Sequence, residues 1–237
     1  MEEPLSIQQV NAMDYDDFIA RFGNVIEHCA LCAAAIWRHR PFQSIEELHS
    51  RICSFLHQLP ASGDSIPMPH KTMFWQGCTC YFSGKEGVLR LHPDLAGRLA
   101  MQGGLTLESK AEQKAAGLDT MTDEERSSLQ EANRCYKEKF GFPFVICARQ
   151  NKKEAILSGI SHRLNNTPEQ ELETGMGEVE KICLLRLQQL VQEWKLNEYM
   201  VYESFITQSW GIYCILPKSL VWCFSAWLCS SRTRFLV

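Results

Sequence analysis

An all-α single domain is the expectation for this 237-residue chain, and three features carry it. Helix start signals recur from end to end, apolar residues repeat at three- and four-residue spacing, and alternating strand-like runs are nearly absent. A chain of this length buries a substantial core in one domain. The expected architecture is a bundle of roughly seven to nine helices over residues 1–196. An atypical insertion occupies residues 61–84 and an apolar tail residues 197–237.

Taken in order, residues 14–38 read as a first helical region, with Phe18, Phe22, Ile26, Cys29 and Ala33 on one stripe and Pro41 beyond its end. Residues 44–59 form a second, in which Ser44 caps the start, Glu46 and Glu47 complement the helix dipole, and Pro60 stops it. Residues 61–84 mix Ser, Gly and Pro with Phe74, Trp75, Tyr81 and Phe82 at no consistent period, which reads as a long inserted loop. Ser-Gly stands at both of its ends, the mark of an optional segment.

Helices resume at Pro93, then over 109–116, then over 122–140, where Thr122 and Glu125 form a capping box. The apolar run Phe144 to Ala148 is too short for a helix and reads as a strand or a buried extended crossing. A helix over 152–164 follows, and the last strong one starts at Thr167, with Pro168 as first residue and Gln170 completing a capping box. Beyond residue 196 the chain is rich in Trp, Phe, Tyr and Cys, but Glu203, Pro217 and Lys218 interrupt it and no stretch is long enough to span a bilayer.

A net charge of −4, with dispersed lysines, gives no footprint for nucleic acid. No secretory signal is visible at the acidic N-terminus, so the chain reads as intracellular and its 11 cysteines as free thiols. Cys29 and Cys32 make a CxxC, but they lie in an apolar helical run and read as small core residues, so no metal site is expected.

Three features carry chemistry. His92 stands before Pro93; if Pro93 opens a helix, the imidazole sits at a helix mouth, where unpaired amides favour an anion beside a group that titrates near neutrality. Arg186 interrupts the apolar stripe Leu172, Met176, Val179, Cys183, Leu190, and a buried guanidinium requires an anionic partner unless it reaches water. Ser109, Glu112 and Gln113 share one helical face, presenting a hydroxyl, a carboxylate and a carboxamide suited to a polar heterocycle or to solvent.

Four ordered motifs, GVLRLHPDLAG, ESKAEQKAAGL, NRCYKEKFGFPFVICAR and GEVEKICLLRL, resemble the 2-oxo-4-hydroxy-4-carboxy-5-ureidoimidazoline decarboxylases of uric acid degradation. FGNVIEHC and IWRHRPF agree, and the likeness runs over residues 10–194 apart from the insertion. The resemblance implies an all-α, cofactor-free carboxy-lyase that yields (S)-allantoin, usually a homodimer and in animals peroxisomal. Its implied partner is the small ureidoimidazoline substrate, with neither nucleic acid nor membrane involved. The final residues Phe235, Leu236 and Val237 are not a Ser-Lys-Leu signal, so a cytosolic location is the alternative.

Carried over by position, His92 is the implied catalytic acid/base, and Glu112 holds its imidazole and supports the charged form. Pro93 lines the site. The run Ser109, Lys110, Ala111, Glu112 and Gln113 binds ureido and ring groups, while Phe144, Val145, Ile146, Cys147 and Ala148 supply a wall and backbone hydrogen bonds. Arg186 binds an anion. The alternative is a catalytically impaired isoform that acts as a helical dimerisation protein, because the insertion lies just upstream of His92.

Overall fold

A computed structural model describes residues 3–61 and 84–192. Ten α-helices fill the described residues: α1 (Ile7–Ala12), α2 (Tyr15–Phe22), α3 (Ala30–Trp37), α4 (Ile45–His57), α5 (Gly84–Arg90), α6 (Arg98–Met101), α7 (Leu107–Ala115), α8 (Asp123–Phe140), α9 (Lys153–Arg163) and α10 (Pro168–Leu190). Two 3₁₀ turns, Leu118–Thr120 and Ala148–Gln150, and one isolated bridge between Leu5 and Val191 complete the regular structure there. The all-α expectation holds, with more and shorter helices than foreseen. The tail beyond residue 196 and nearly all of the insertion lie outside the described residues.

Most starts are those the sequence marks. Ser44 accepts the Glu47 amide, and reciprocal capping boxes close on Thr122 with Glu125 and on Thr167 with Gln170. Each such cap is worth about 1 kcal/mol because it satisfies amides that a helix start leaves bare. α8 ends at Gly141, whose φ of 76° only glycine adopts without strain.

Two expectations fail. The first helical region is broken into α2 and α3, because residues 23–29 turn away from the helix path. The Asn24 side chain accepts the His28 amide at 2.9 Å, and the Asn24 carbonyl accepts from Arg186 at 2.8 Å. Local side-chain capping and one long-range charged bond thus replace the helical ladder. Nor does Pro93 begin a helix. α5 ends at Arg90, and the next helix starts at Arg98. The intervening loop is tied down from outside: Gln113 Oε1 accepts the Ala96 amide at 3.0 Å, and Asn133 Nδ2 donates to the Leu95 carbonyl at 3.1 Å. With these groups taken by α7 and α8, no helical ladder runs from Pro93.

α10 is the strut of the bundle, packing on α4, α5 and α8. Gly175 lets α5 approach: a Cβ there would lie 3.1 Å from both methyl groups of Leu89. Apolar side chains including Phe18, Phe22, Ile26, Leu48, Ile52, Leu89, Tyr136, Phe144, Ile156 and Val179 form one continuous core. Cys29 and Cys32 belong to it as free thiols, and no cluster able to hold a metal occurs among the described residues. The edges of the insertion are pinned together, since the Lys85 amide donates to Pro60 at 2.8 Å and that of Glu86 to Ala61 at 3.3 Å.

Candidate active site

Separate elements converge on one cavity of about 360 Å³, counted with its mouth. The turn after α5 presents His92 and Pro93, with Leu95 from the following loop. α7 contributes Ser109, Glu112 and Gln113, the crossing Phe144, Val145, Ile146 and Ala148, and α10 Ile182 and Arg186. The crossing has no strand partner among the described residues; Phe144, Val145, Cys147 and Ala148 are buried, Ile146 is half-buried, and Ala148 opens the second 3₁₀ turn.

Three candidates fall outside this lining. Lys110 and Ala111 are exposed on α7, because the helical period that points Ser109, Glu112 and Gln113 inward turns them outward. Cys147 is fully buried in the core, and its amide is taken by Glu178 Oε2 at 2.8 Å.

His92 lies at the opposite pole of a helix from the one expected. Its amide donates to Leu89 at 3.1 Å, and its Nδ1 lies 3.1 Å from the Val88 carbonyl, both in the last turn of α5. A carbonyl only accepts, so Nδ1 carries the proton and Nε2 presents a lone pair. Nε2 is buried without a hydrogen-bond partner among the described residues. Burial depresses the imidazole pKa from 6.5 to about 4; Glu27 and the Val88 carbonyl oppose the fall and Arg186 adds to it. The ring is therefore a neutral base at pH 7.

Glu112 does not hold the imidazole. Its two oxygens accept from Nε and Nη2 of Arg186, each at 2.8 Å, in a two-pronged pair between α7 and α10. Arg186, on the apolar stripe where the sequence places it, is 2% exposed. Burial alone would lower its pKa, but Glu112 and Glu27 raise it on balance.

Glu27 is the residue that sequence reasoning missed. It is 1% exposed, in the turn between α2 and α3, and its Oε2 lies 2.7 Å from Arg186 Nη2. Thr106 donates to Oε1 at 2.8 Å and Ser109 to Oε2 at 2.9 Å. Burial opposes its charge, yet Arg186 and the two hydroxyls outweigh that and hold its pKa below the usual carboxylate value. A signal existed: Glu27 follows Val25 and Ile26 and precedes Cys29, as out of place in its apolar run as Arg186 is on its stripe.

The family model for OHCU decarboxylase matches residues 11–188, a span holding every residue of this cavity. The chain belongs to the OHCU decarboxylase family. The 2-oxo-4-hydroxy-4-carboxy-5-ureidoimidazoline decarboxylase of Amia calva is 42% identical over 188 residues, covering 79% of this chain and 95% of that protein. Its counterpart from Xenopus laevis is 42% identical over 192 residues, or 81% and 98%. Among solved structures, an OHCU decarboxylase crystallised in the presence of (S)-allantoin superposes with a TM-score of 0.52 at 22% identity, covering 76% of this chain and 100% of that one. That last likeness speaks for the fold.

Proposed function

We propose that this chain decarboxylates 2-oxo-4-hydroxy-4-carboxy-5-ureidoimidazoline to (S)-allantoin in urate breakdown, without a cofactor, and that His92 moves the decisive proton. The observation that carries this reading is the neutral His92, anchored through Nδ1–H to Val88, with its Nε2 lone pair buried and free.

The substrate is its own electron sink. When the bond to the carboxylate breaks, its electron pair forms a double bond to the neighbouring ring carbon, and the ring nitrogen of the former C=N bond gains electrons and a proton from solvent. An enol remains, which becomes the ketone when its hydroxyl proton leaves and one proton adds to the neighbouring carbon. Nε2 of His92 accepts the first and returns it to one face of that carbon, which gives the product one hand. Positioned acid/base catalysis of this kind is worth about 10²- to 10⁴-fold.

Ser109, Glu112 and Gln113 orient the ring and ureido groups, with Pro93 and the crossing at Phe144, Val145, Ile146 and Ala148 as the wall. Arg186 is committed to Glu112, Glu27, Ser109 and the Asn24 carbonyl. It acts by holding the two carboxylates and Ser109 in place, more than as an open anion receptor.

The family resemblance supports a homodimer and a peroxisomal setting, with a cytosolic setting as the alternative. Light scattering on the purified chain and imaging of the tagged protein read them directly. No described helix is long and apolar enough to cross a membrane. One observation favours a second reading, an inactive chain that pairs through its bundle: the insertion enters directly at α5, which positions His92. Freshly made substrate tests both. The decarboxylase shortens its lifetime and gives allantoin with circular dichroism, and His92→Asn abolishes the effect; the inactive chain leaves the spontaneous racemic decay unchanged.

A further inference from the structure

Among the described residues, Glu112 and Arg186 of the cavity lining and Glu27, which reaches that lining through Arg186 and Ser109, form one buried charge cluster of two carboxylates and one guanidinium, so with His92 neutral it carries one surplus negative charge. Geometry locates the surplus. Glu112 spends both oxygens on Arg186 in a two-pronged pair, whereas Glu27 meets that guanidinium through Oε2 alone, is held by the uncharged hydroxyls of Thr106 and Ser109, and has only the exposed His28 ring, 3.7 Å from Oε1, as a further ionisable neighbour.

We propose that Glu27 is a positioning residue of this site: its charge supports the imidazolium that forms when His92 takes the substrate's proton, and its oxygens hold Arg186 and Ser109. This rests on the decarboxylase reading for the step it serves, while the arrangement itself exists in the free protein.

The charged and titratable groups facing His92 are few. Among the described residues, Glu27 and the exposed His28 come from the turn before α3, Arg186 from α10, and Glu112, paired with Arg186, from α7, while the uncharged Val88 carbonyl of its own helix accepts from Nδ1. Arg186 and His28 disfavour a second proton on the imidazole, and Glu27 is the largest influence in its favour. Uptake of a proton takes the cluster from one surplus negative charge to neutrality, which matters greatly where water is excluded. Thr106, the N-cap of α7, and Ser109 fix where that charge sits, so the start of α7 and the turn before α3 are set by one carboxylate.

The test uses the full chain with Glu27→Gln and Glu27→Asp, and two readouts. The first is the titration of the His92 ring by NMR, assigned by its loss in His92→Asn and independent of turnover. In the wild type, protonation sets in as the pH falls toward about 4; E27Q is expected to need about one pH unit more acid, a tenfold loss of proton affinity. The second is kinetic: in E27Q, kcat falls by about tenfold or more while KM changes far less, and E27D, which keeps the charge, recovers most of kcat. An unmoved His92 titration in E27Q, or equal kcat losses in E27Q and E27D, overturns the proposal. Should E27Q fail to fold, E27D must show a smaller shift in the same direction, and no shift overturns it. A wild-type chain that makes no optically active allantoin defeats the decarboxylase reading, while the NMR titration still decides the role of Glu27.

Discussion

Arg186 on α10 and Glu112 on α7 meet in a two-pronged ion pair, with Nε and Nη2 each 2.8 Å from a carboxylate oxygen and both side chains buried. The pair joins two elements that line the cavity. It also explains why an arginine stands in an apolar stripe, since a guanidinium cannot shed its charge and must find carboxylates inside.

Replacing Arg186 by Met therefore strands two buried carboxylates, and a loss of about 3 to 5 kcal/mol is expected. Urea denaturation reads it, and KM should rise because Glu112 and Ser109 lose their anchor. Adding Glu112→Gln to that variant should recover part of the stability but not the KM, since one stranded charge has gone. Equal stability of wild type and Arg186→Met would contradict the buried pair.

His92→Asn should keep the fold and lower kcat by about 10²- to 10⁴-fold. Circular dichroism in the far ultraviolet and a kinetic run on the same sample check both halves. Full turnover by the folded variant would remove His92 from the chemistry.

The same histidine predicts a pH effect on stability. Its folded pKa of about 4 lies below the 6.5 of a free imidazole, so between these values the unfolded chain binds more protons and stability is lost as the pH falls. The depressed carboxyl of Glu27 acts in the same direction at lower pH. Between pH 7 and pH 5, His92→Asn should lose about 2 kcal/mol less stability than the wild type. Parallel curves for the two proteins would show that His92 is not buried neutral.

Arg163 holds the crossing from behind. It donates to the Val145 carbonyl and to Glu171 at 2.8 Å each, lies over the Phe144 ring, and shares Glu171 with Tyr136. Arg163→Met should cost about 3 to 5 kcal/mol, because Glu171 is wholly buried. Thermal denaturation checks this. A change of under about 1 kcal/mol would contradict a buried ion pair between Arg163 and Glu171.

Local chemistry made much of the fold legible. Ser44, Thr122 and Thr167 announce helix starts through side chains and amides close in sequence, and the structure places caps on all three. The crossing was legible by its length. The errors arose where distant groups override local preference. Pro93 has the φ for a first helical residue, but Gln113 and Asn133 claim the backbone that follows. Residues 23–29 have helical spacing, but Asn24 and Glu27 are drawn to Arg186, more than 150 positions away in the chain.

The cavity shows the same division. Ser109, Glu112 and Gln113 share a face because helical geometry requires it, so their grouping was visible; placing Lys110 and Ala111 in the site with them runs against that same period, which turns both outward. The partner of Glu112 was not visible, because it depends on how α7 meets α10. Glu27 stands out in its apolar run, but a continuous helix would set it beside the apolar stripe, and the break that turns it inward has no strong local signal.

The insertion can be tested through its edges. Pro60 and Ala61 bond directly to Lys85 and Glu86, and Gly84 has a φ of 70° with no room for a Cβ beside the Pro60 carbonyl. Removing residues 64–84 leaves Ser62 and Gly63 in place of Ser83 and Gly84, which keeps a glycine at that position. The shortened chain should fold with unchanged helix content and a thermal midpoint no lower than that of the full chain.

The most direct measurement is circular dichroism of the allantoin formed from freshly made substrate, with the full chain beside the one lacking residues 64–84. The expected result is rapid loss of substrate and a product signal of a single hand from both proteins, absent in His92→Asn. Decay at the spontaneous rate with no optical signal from either folded protein would contradict the decarboxylase account.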